Sequence, residues 1–249
     1  MNEQTLVSQL AERFPQRDFH VDNLSVLHKG RFANAIVYRY KDDHFDFVIK
    51  DFQHSPWFVR KTLARLFINQ EYKALKRLNG MDGVSDEYHR LSSIGIAYAF
   101  IEGVPLRTLS KQGEKIPKAF FNQLEHMVSE MHRRGLVHLD LRNLGNVILG
   151  KDGKPYFIDF QSAMTFDRFP VWLQRYMRGA DLSGVYKGWS AVCELPVTGY
   201  KKIFFTNFNQ FRKRWIFRGY PIHRASLWLV GLASQLPGAG LLRSITDRF

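Results

Sequence analysis

Short hydrophobic runs separated by turn-forming residues occupy the first hundred positions of the chain. Residues 24–27, 35–40 and 45–52 are rich in β-branched and aromatic residues, and Lys-Gly and Asp-Asp pairs separate these runs. Because such residues favour pleated strands, we predict three strands there. An amphipathic pattern predicts a short helix at residues 4–14, and residues 91–100 predict one or two further strands.

Two longer segments carry apolar residues at helical spacing. The first covers residues 57–78 and stops at Asn79-Gly80, a common signal for the C-terminus of a helix. The second covers residues 119–134 and stops at Gly135. We predict a helix in each segment.

The pattern changes from strand-rich to mostly helical after the Glu-Gly-Val-Pro segment at residues 102–105. A hairpin is predicted from residues 147–149 and 156–158, and the rest of the second half is helical between prolines. We therefore predict an α+β fold with two lobes. The N-terminal lobe, residues 1–101, holds a small antiparallel sheet, and the C-terminal lobe, residues 102–249, is helical. We expect the chemistry in the cleft between them.

The charge of the chain is less ordinary than its composition. Of 249 residues, 45% are hydrophobic and 24% are charged, as in typical globular proteins, but the formal net charge is +13. Residues 200–249 contain nine Lys or Arg and one acid, Asp247, so this segment holds most of the excess. Such a charge indicates an anionic partner, which is either nucleic acid, acidic lipid or a phosphorylated saccharide.

Localisation is indicated by what the sequence does not show. The first residues lack the basic segment and apolar run of a secretory signal. The longest nearly apolar stretch, residues 225–233, is shorter than a membrane span. The single cysteine, Cys193, has no partner for a disulfide within the chain, which fits a reducing compartment. We expect a cytoplasmic protein.

The residues with the clearest chemistry lie between positions 138 and 159. Asp140 and Asn146 precede an apolar strand, and Asp159 follows the second strand of the predicted hairpin. A phosphotransferase needs a carboxylate that orients the acceptor hydroxyl, together with an amide and a carboxylate that hold Mg²⁺ on the nucleotide. We assign Asp140 to the hydroxyl and Asn146 and Asp159 to the metal. The alternative for Asp140 is a capping or turn residue.

Upstream and neighbouring residues complete this hypothesis. Lys50 ends a strand and would reach the nucleotide phosphates, and Glu71 on the next helix would fix its direction through an ion pair. Gly30 lies in a turn that is either a lid over the phosphates or an ordinary turn. Arg142 would neutralise charge on the transferred phosphoryl group. His138 is expected to hold the backbone of the loop rather than to act as a base.

Together these residues resemble the protein-kinase-like superfamily over about residues 25–190. The resemblance is greatest to small bacterial and atypical members, the lipopolysaccharide core (Kdo and heptose) kinases and the RIO-type kinases. Residues 131–138, Met-His-Arg-Arg-Gly-Leu-Val-His, resemble the helix that leads into the catalytic loop. Residues 100–106 resemble the segment that joins the lobes and meets adenine, which implies that Glu102 lies at the nucleotide. The resemblance also implies the use of ATP and Mg²⁺.

The chain departs from that family pattern in three places. Five residues separate Asp140 from Asn146 where four are usual, so we expect a one-residue bulge, with Asn143 as the competing metal ligand. Gln161 replaces the usual glycine after Asp-Phe, and no Ala-Pro-Glu follows. The short segment after Gln161 argues against a regulated peptide kinase. Asp181 resembles the buried helical aspartate that braces the catalytic loop, with a plain helix cap as the alternative.

Aromatic and cationic residues are interleaved in the C-terminal segment. The aromatic residues are Phe204, Phe205, Phe208, Phe211, Trp215, Phe217, Tyr220 and Trp228. This pattern suits a helix on an anionic membrane surface, and it also suits stacking on single-stranded nucleic acid. The third alternative is a helix that buries its aromatic residues in the lobe. A second basic and aromatic patch covers residues 57–61 with Arg65.

Three functions are compatible with these observations. The leading hypothesis is a kinase that phosphorylates a sugar hydroxyl of the lipopolysaccharide core or a similar anionic glycolipid, in peripheral contact with the cytoplasmic face of the inner membrane. The second is a RIO-type Ser/Thr protein kinase with a protein acceptor. The third is a kinase-like module that binds a membrane or RNA without efficient catalysis. Nucleic acid is the less favoured partner.

Overall fold

The computed structural model describes residues 3–30 and 34–214. Residues 1–209 form one compact unit, and residues 210–249 form another. The helices are α1 (Glu3–Arg13), α2 (Trp57–Val59), α3 (Arg65–Leu78), α4 (Leu106–Gln112), α5 (Lys118–Arg133), α6 (Val171–Val192) and α7 (Gly199–Arg214). The strands are β1 (Leu24–His28), β2 (Ile36–Lys41), β3 (Asp46–Asp51), β4 (Tyr88–Arg90), β5 (Gly95–Ala99), β6 (Gly103–Pro105), β7 (Leu136–Val137), β8 (Val147–Gly150), β9 (Pro155–Phe157) and β10 (Met164–Thr165). No helix in the described part of the chain has the length and apolar character needed to cross a membrane.

Five antiparallel strands form the N-terminal sheet in the order β1-β2-β3-β5-β4. Strand β3 is central, so Lys50 is paired with Val37 on one side and with Ile96 on the other. Neighbouring residues of a strand point to opposite faces. Ile49 packs with Leu10 of α1 on one face, whereas Lys50 points to α3 on the other. The central strand thereby gives Lys50 a rigid base.

A π-helical turn at Arg60–Ala64 joins α2 to α3. Val59 and Ala64 are both fully buried, although they are five residues apart. Hydrogen bonds in a π turn join residues that are five apart, so residues at this spacing lie on the same face of the helix. Val59 and Ala64 are therefore both on the buried face. The α-helical spacing then continues to Ile68 and Glu71, which places the Glu71 carboxylate on the side that faces the sheet.

Helix α6 lies at the centre of the helical part of the fold. A Cβ atom added to Gly184 would lie 2.6 Å from the carbonyl carbon of Leu141, so the helix backbone lies directly against the loop at residues 138–146. A three-stranded sheet in the order β6-β8-β9 and a two-stranded sheet of β7 and β10 flank this loop. The loop is therefore held between α6 and two small sheets.

The predicted α+β fold with two lobes is confirmed, and so are the predicted helices and strands in the described part of the chain, with shifts of a few residues at their ends. The helices expected after residue 214 lie outside the described residues. Four strands differ from the expectation, and two of them, the short strands β7 and β10, lie where no strand was predicted. Residues 103–105, expected as a joint, form β6 because Val104 pairs with Leu149. Strand β4 ends at Arg90, before the segment in which it was expected. The boundary between lobes at residues 101 and 102 stays a prediction.

Candidate active site

A buried ion-pair triad connects the sheet, α3 and the segment after β9. The Lys50 ammonium lies 2.7 Å from Glu71 Oε1 and 2.7 Å from Asp159 Oδ1. Lys50 and Glu71 are buried, whereas 24% of the Asp159 side chain is exposed. The structure thus brings together the predicted Lys50 and Glu71 and adds Asp159 to the same contact.

Burial and charge act against each other in this triad. Burial raises the pKa of Glu71 despite the Lys50 ammonium. Burial acts in the same direction on Asp159, but the Lys50 charge outweighs it and holds the pKa of Asp159 below its usual range. Burial alone would lower the pKa of Lys50, but the charges of Asp159 and Glu71 raise it well above its ordinary value. Lys50 is therefore a cation and Asp159 an anion near neutral pH.

Asp140 and Asn146 form the second part of the site. Asn146 Nδ2 donates to Asp140 Oδ2 at 3.0 Å and to the Asp140 carbonyl oxygen at 3.1 Å. The loop from Asp140 to Asn146 ends in a 3₁₀ turn at Leu144–Asn146. Asn143, the competing ligand, accepts hydrogen bonds from the Gly145 N–H and from Arg107 instead. Only Asn146 of the two is buried beside Asp140.

The loop that carries Asp140 is braced from behind by Asp181 on α6. Asp181 is fully buried and accepts hydrogen bonds from the backbone N–H groups of His138 at 2.9 Å and Leu139 at 2.7 Å. His132 Nε2 lies 2.9 Å from the same carboxylate. Leu139 has a φ of 64°, a conformation that disfavours a branched side chain, so these bonds stabilise a strained turn just before Asp140. Asp181 braces the loop here and is not a helix cap.

His138 holds the same loop from within. It is fully buried, with Nε2 3.1 Å from the Ile158 carbonyl and Nδ1 accepting from the Asp140 N–H at 3.3 Å. A carbonyl can only accept and an N–H can only donate, so these partners assign a neutral imidazole with its proton on Nε2. The ring therefore has the structural position that the sequence suggests for it.

Arg142 contacts helix α6 and the ring of Phe205 on α7. Its Nη1 donates to Ser183 Oγ at 2.9 Å, and its guanidinium lies 6.0 Å from the centre of the Phe205 ring. Its carbonyl oxygen accepts from Lys187 at 2.7 Å. These contacts direct the side chain to α6 and α7, so its role at the transferred phosphoryl group stays a prediction.

Glu102 lies in the segment between the sheet and the helical region, but its side chain is exposed and pairs with Lys151 at 2.5 Å. Its carbonyl oxygen accepts the Lys151 N–H at 3.0 Å. The preceding Ile101 has no hydrogen bond from its backbone N–H or C=O to any described residue. Since adenine recognition uses backbone groups, Ile101 is a better candidate than the Glu102 side chain. A backbone role leaves no side-chain signal in the sequence.

Gly30 lies where the chain passes close to itself. A Cβ atom there would lie 2.3 Å from the Asn34 carbonyl oxygen and 2.4 Å from that of Ala35, so only glycine fits. The tip of the turn, residues 31–33, lies outside the described residues. The proposed lid over the phosphates therefore stays a prediction.

A metal ion at this site would be coordinated partly by protein side chains and partly by the phosphates of a bound nucleotide. Among the described residues, no cluster of three or more His, Cys, Asp or Glu side chains can hold a metal by itself. Mg²⁺ in nucleotide sites typically takes one or two protein ligands and completes its shell with phosphate and water. Asn146 and Asp159 fit that requirement, because Asn146 directs Nδ2 to Asp140 and hence Oδ1 away from it, and the Asp159 carboxylate is partly exposed.

The described part of the C-terminal segment packs against α6. Phe208 stacks on Tyr176 at 5.5 Å, Phe204 contacts Tyr186 at 5.9 Å, and Lys201 forms an ion pair with Glu125. Phe204 and Phe208 are half-buried against α6, as the third alternative expects, whereas Phe211 is 48% exposed. Trp215, Phe217, Tyr220 and Trp228 lie outside the described residues.

Comparison with known proteins gives one family match. The family model of the RIO domain matches residues 25–180, which is more than half of the chain and includes Lys50, Glu71, Asp140, Asn146 and Asp159. None of the curated proteins compared with the chain matches it.

Proposed function

The chain belongs to the RIO family of atypical protein-kinase-like kinases, and from this premise we propose that its acceptor is a sugar hydroxyl of an anionic glycolipid, such as the lipopolysaccharide core. ATP would be the phosphoryl donor and Mg²⁺ the metal ion. The observation that supports catalysis is the pairing of an Asp140 carboxylate oriented by Asn146 with a Lys50 ammonium held by two carboxylates. A binding module would not need both arrangements.

The side chains of the site have separate tasks in phosphoryl transfer. Lys50, fixed by Glu71, would place its charge on the phosphate oxygens and orient them. Asp140 would accept a hydrogen bond from the acceptor hydroxyl and take its proton as the bond to phosphorus forms. Asn146 and Asp159 would hold Mg²⁺, which offsets the negative charge of the phosphates. The Ile101 backbone would meet the adenine edge.

The glycolipid acceptor is supported by charge and by the short segment before α6. A net charge of +13 attracts an anionic acceptor. Only the 3₁₀ turn at Phe160–Ser162 and strand β10 intervene between Asp159 and Val171, the first residue of α6, which leaves little chain for a peptide-docking platform. We propose the cytoplasmic face of the inner membrane, with peripheral contact, as its place of action.

A Ser/Thr protein acceptor is the second candidate, and the family match itself favours it. Transfer of ³²P from ATP in the presence of Mg²⁺ separates the two. Purified full-length protein is incubated with isolated core glycolipid and, in parallel, with a mixture of soluble proteins. We expect label in the glycolipid, released as sugar phosphate on hydrolysis, and none with Asp140→Asn. Label in protein alone would overturn the glycolipid proposal and leave the kinase assignment intact.

The kinase-like module without catalysis is tested by ATP turnover. Wild type and Asp159→Asn are compared at saturating Mg²⁺, each with the acceptor that the labelling experiment identifies. We expect turnover in the wild type that falls by at least 100-fold in the variant. Equal background rates in both proteins would favour the module.

A further inference from the structure

The first turns of α6 expose two large apolar residues side by side. Val171 and Trp172 are each 61% exposed. Arg175 lies four residues after Val171 and three after Trp172, so its side chain neighbours both on the helix surface. Together with Arg168, which is also exposed, they form what we call the α6 surface. Adjacent exposed apolar residues with cations beside them are typical of an interaction surface.

The charge of the α6 surface is positive and uncompensated. No acid occurs between Arg168 and Ala180, whereas Arg168, Arg175 and Arg178 all lie in this stretch. The preceding Asp167 pairs with Arg77 at 3.1 Å. Neither Arg168 nor Arg175 forms a salt bridge with a described residue. The surface is thus complementary to an anionic and partly apolar partner.

The α6 surface is connected to the catalytic loop by a small core. Val137, Phe166 and Met177 form a buried cluster, and Leu139 and Leu173 pack against it. Leu139 precedes Asp140, and Leu173 follows Trp172. The first turns of α6 are therefore packed beneath the loop that carries Asp140, and their outer face is the α6 surface.

The number of helical residues between Trp172 and Asp181 gives the distance along α6 between the α6 surface and the point at which the helix braces the catalytic loop. Asp181 contacts the backbone of Leu139 at 2.7 Å, and Trp172 lies nine residues earlier on the same helix. At about 1.5 Å per residue, Trp172 lies ~14 Å along the helix axis from Asp181, the residue that braces the turn before Asp140. An acceptor that uses both places must be extended, with its reactive hydroxyl well separated from its apolar part.

We propose that the α6 surface binds the anionic, acyl-bearing end of the glycolipid acceptor while its sugar hydroxyl reaches Asp140. This inference rests on the proposed glycolipid acceptor. Trp172 and Val171 contact the acyl chains near the headgroup, where an indole ring is well suited to lie. Arg175 and Arg168 pair with the phosphates of the headgroup. Binding at this surface positions the hydroxyl and determines specificity for long amphipathic acceptors.

The test is the steady-state kinetics of full-length Trp172→Ser and Arg175→Gln. The acceptors are core glycolipid in mixed detergent micelles and the same glycan after removal of its acyl chains. Trp57→Ser is the matched control, because Trp57 is 64% exposed on a different helix beside Lys61. Melting temperatures of all variants are recorded.

For Trp172→Ser we expect the KM for the intact glycolipid to rise about tenfold, equivalent to about 1.4 kcal/mol, with kcat and the KM for ATP unchanged. Its KM for the deacylated glycan should match the wild type, whereas Arg175→Gln should raise the KM for both acceptors. Trp57→Ser should leave every constant unchanged.

Three outcomes would overturn the assignment. One is an unchanged KM for the intact glycolipid in Trp172→Ser. This outcome counts even if the melting temperature of the variant falls, because the α6 surface would then pack against the rest of the chain and not against the acceptor. Another is an equal rise in Trp57→Ser. The third is a wild type that labels protein but no glycolipid, which refutes the proposed acceptor and this surface with it. An active wild type with an unaffected Trp172→Ser refutes the surface alone.

Discussion

Asn146 donates a hydrogen bond of 3.0 Å from its side-chain amide to the Asp140 carboxylate, six residues earlier in the same loop. The Asn146 amide thereby orients the Asp140 carboxylate, which we assign to the acceptor hydroxyl. The same amide leaves its oxygen, Oδ1, directed away from Asp140, where it could bind a metal ion. The proposed metal site and the proposed acceptor site would therefore be coupled through this single side chain.

This coupling predicts different effects for the two asparagines of the loop. Asn146→Ala should lower kcat by at least 100-fold and raise the Mg²⁺ concentration needed for half-maximal rate, because it removes a metal ligand and frees the Asp140 carboxylate. Asn143→Ala should change kcat less than threefold, since Asn143 contacts Arg107 and Gly145. Initial rates over a Mg²⁺ titration measure both effects. A larger loss in Asn143→Ala would reverse the assignment of the ligand.

Replacement of Asp140 should separate binding from transfer. Asp140→Asn keeps the shape of the side chain but cannot take a proton, so we expect the rate of transfer to fall by about 10³-fold or more while the Kd for ATP stays within threefold. Nucleotide affinity is measured by calorimetry and transfer by ³²P labelling. Wild-type turnover in this variant would show that another group serves the hydroxyl.

The buried triad predicts a stability effect that depends on both partners of Lys50. Lys50→Met leaves the Glu71 and Asp159 carboxylates close together without a cation, which should lower the free energy of unfolding by about 3 kcal/mol at pH 8. The loss should shrink toward pH 5, because Glu71 can then bind a proton. Urea denaturation at the two pH values provides the measurement.

A matched double variant tests the origin of that loss. Lys50→Met with Glu71→Gln removes one of the two uncompensated charges, so it should be more stable than Lys50→Met alone at pH 8. If the double variant were no more stable than the single one, lost packing around the lysine stem would be the cause instead.

Asp51, next to Lys50 but on the opposite face of the sheet, predicts a pH dependence of stability. It is 2% exposed, its Oδ1 has no hydrogen-bond partner in the described part of the chain, and burial raises its pKa to about 6. A pKa raised above the unfolded value contributes stability below about pH 4 that is lost as the pH rises through about 6. A shift of about two units corresponds to about 3 kcal/mol.

Asp51→Asn should remove this dependence. The variant keeps an oxygen for the Gln53 N–H, which donates to Asp51 Oδ2 at 3.0 Å, but cannot become charged. We expect it to exceed the wild type in the free energy of unfolding by about 2–3 kcal/mol at pH 8 and to match it near pH 4. Urea denaturation from pH 4 to pH 8 measures this difference. If the free energies of unfolding of the two proteins changed in parallel with pH, the prediction would be wrong.

Much of the fold and of the site could be predicted from local patterns. The strands around Lys50, the helix of Glu71 and the loop with Asp140 and Asn146 each have a short-range signal, since strand and helix periodicity and turn residues act over a few positions. The sequence pattern does not distinguish Asn146 from Asn143 as the metal ligand. Both precede the same strand, and only the 3₁₀ turn shows which of them is buried against Asp140.

The sequence by itself determined the order of elements and the residue types that phosphoryl transfer requires. Tertiary structure alone decided which of them meet. Lys50 and Asp159 are 109 residues apart and pair because β3 and the segment after β9 face the same side of α3. Arg142 contacts Ser183, and Asp51 is buried without a full set of hydrogen-bond partners. No local sequence pattern predicts either of these. Contacts between distant segments depend on packing of the whole chain, and short-range propensity carries no information about them.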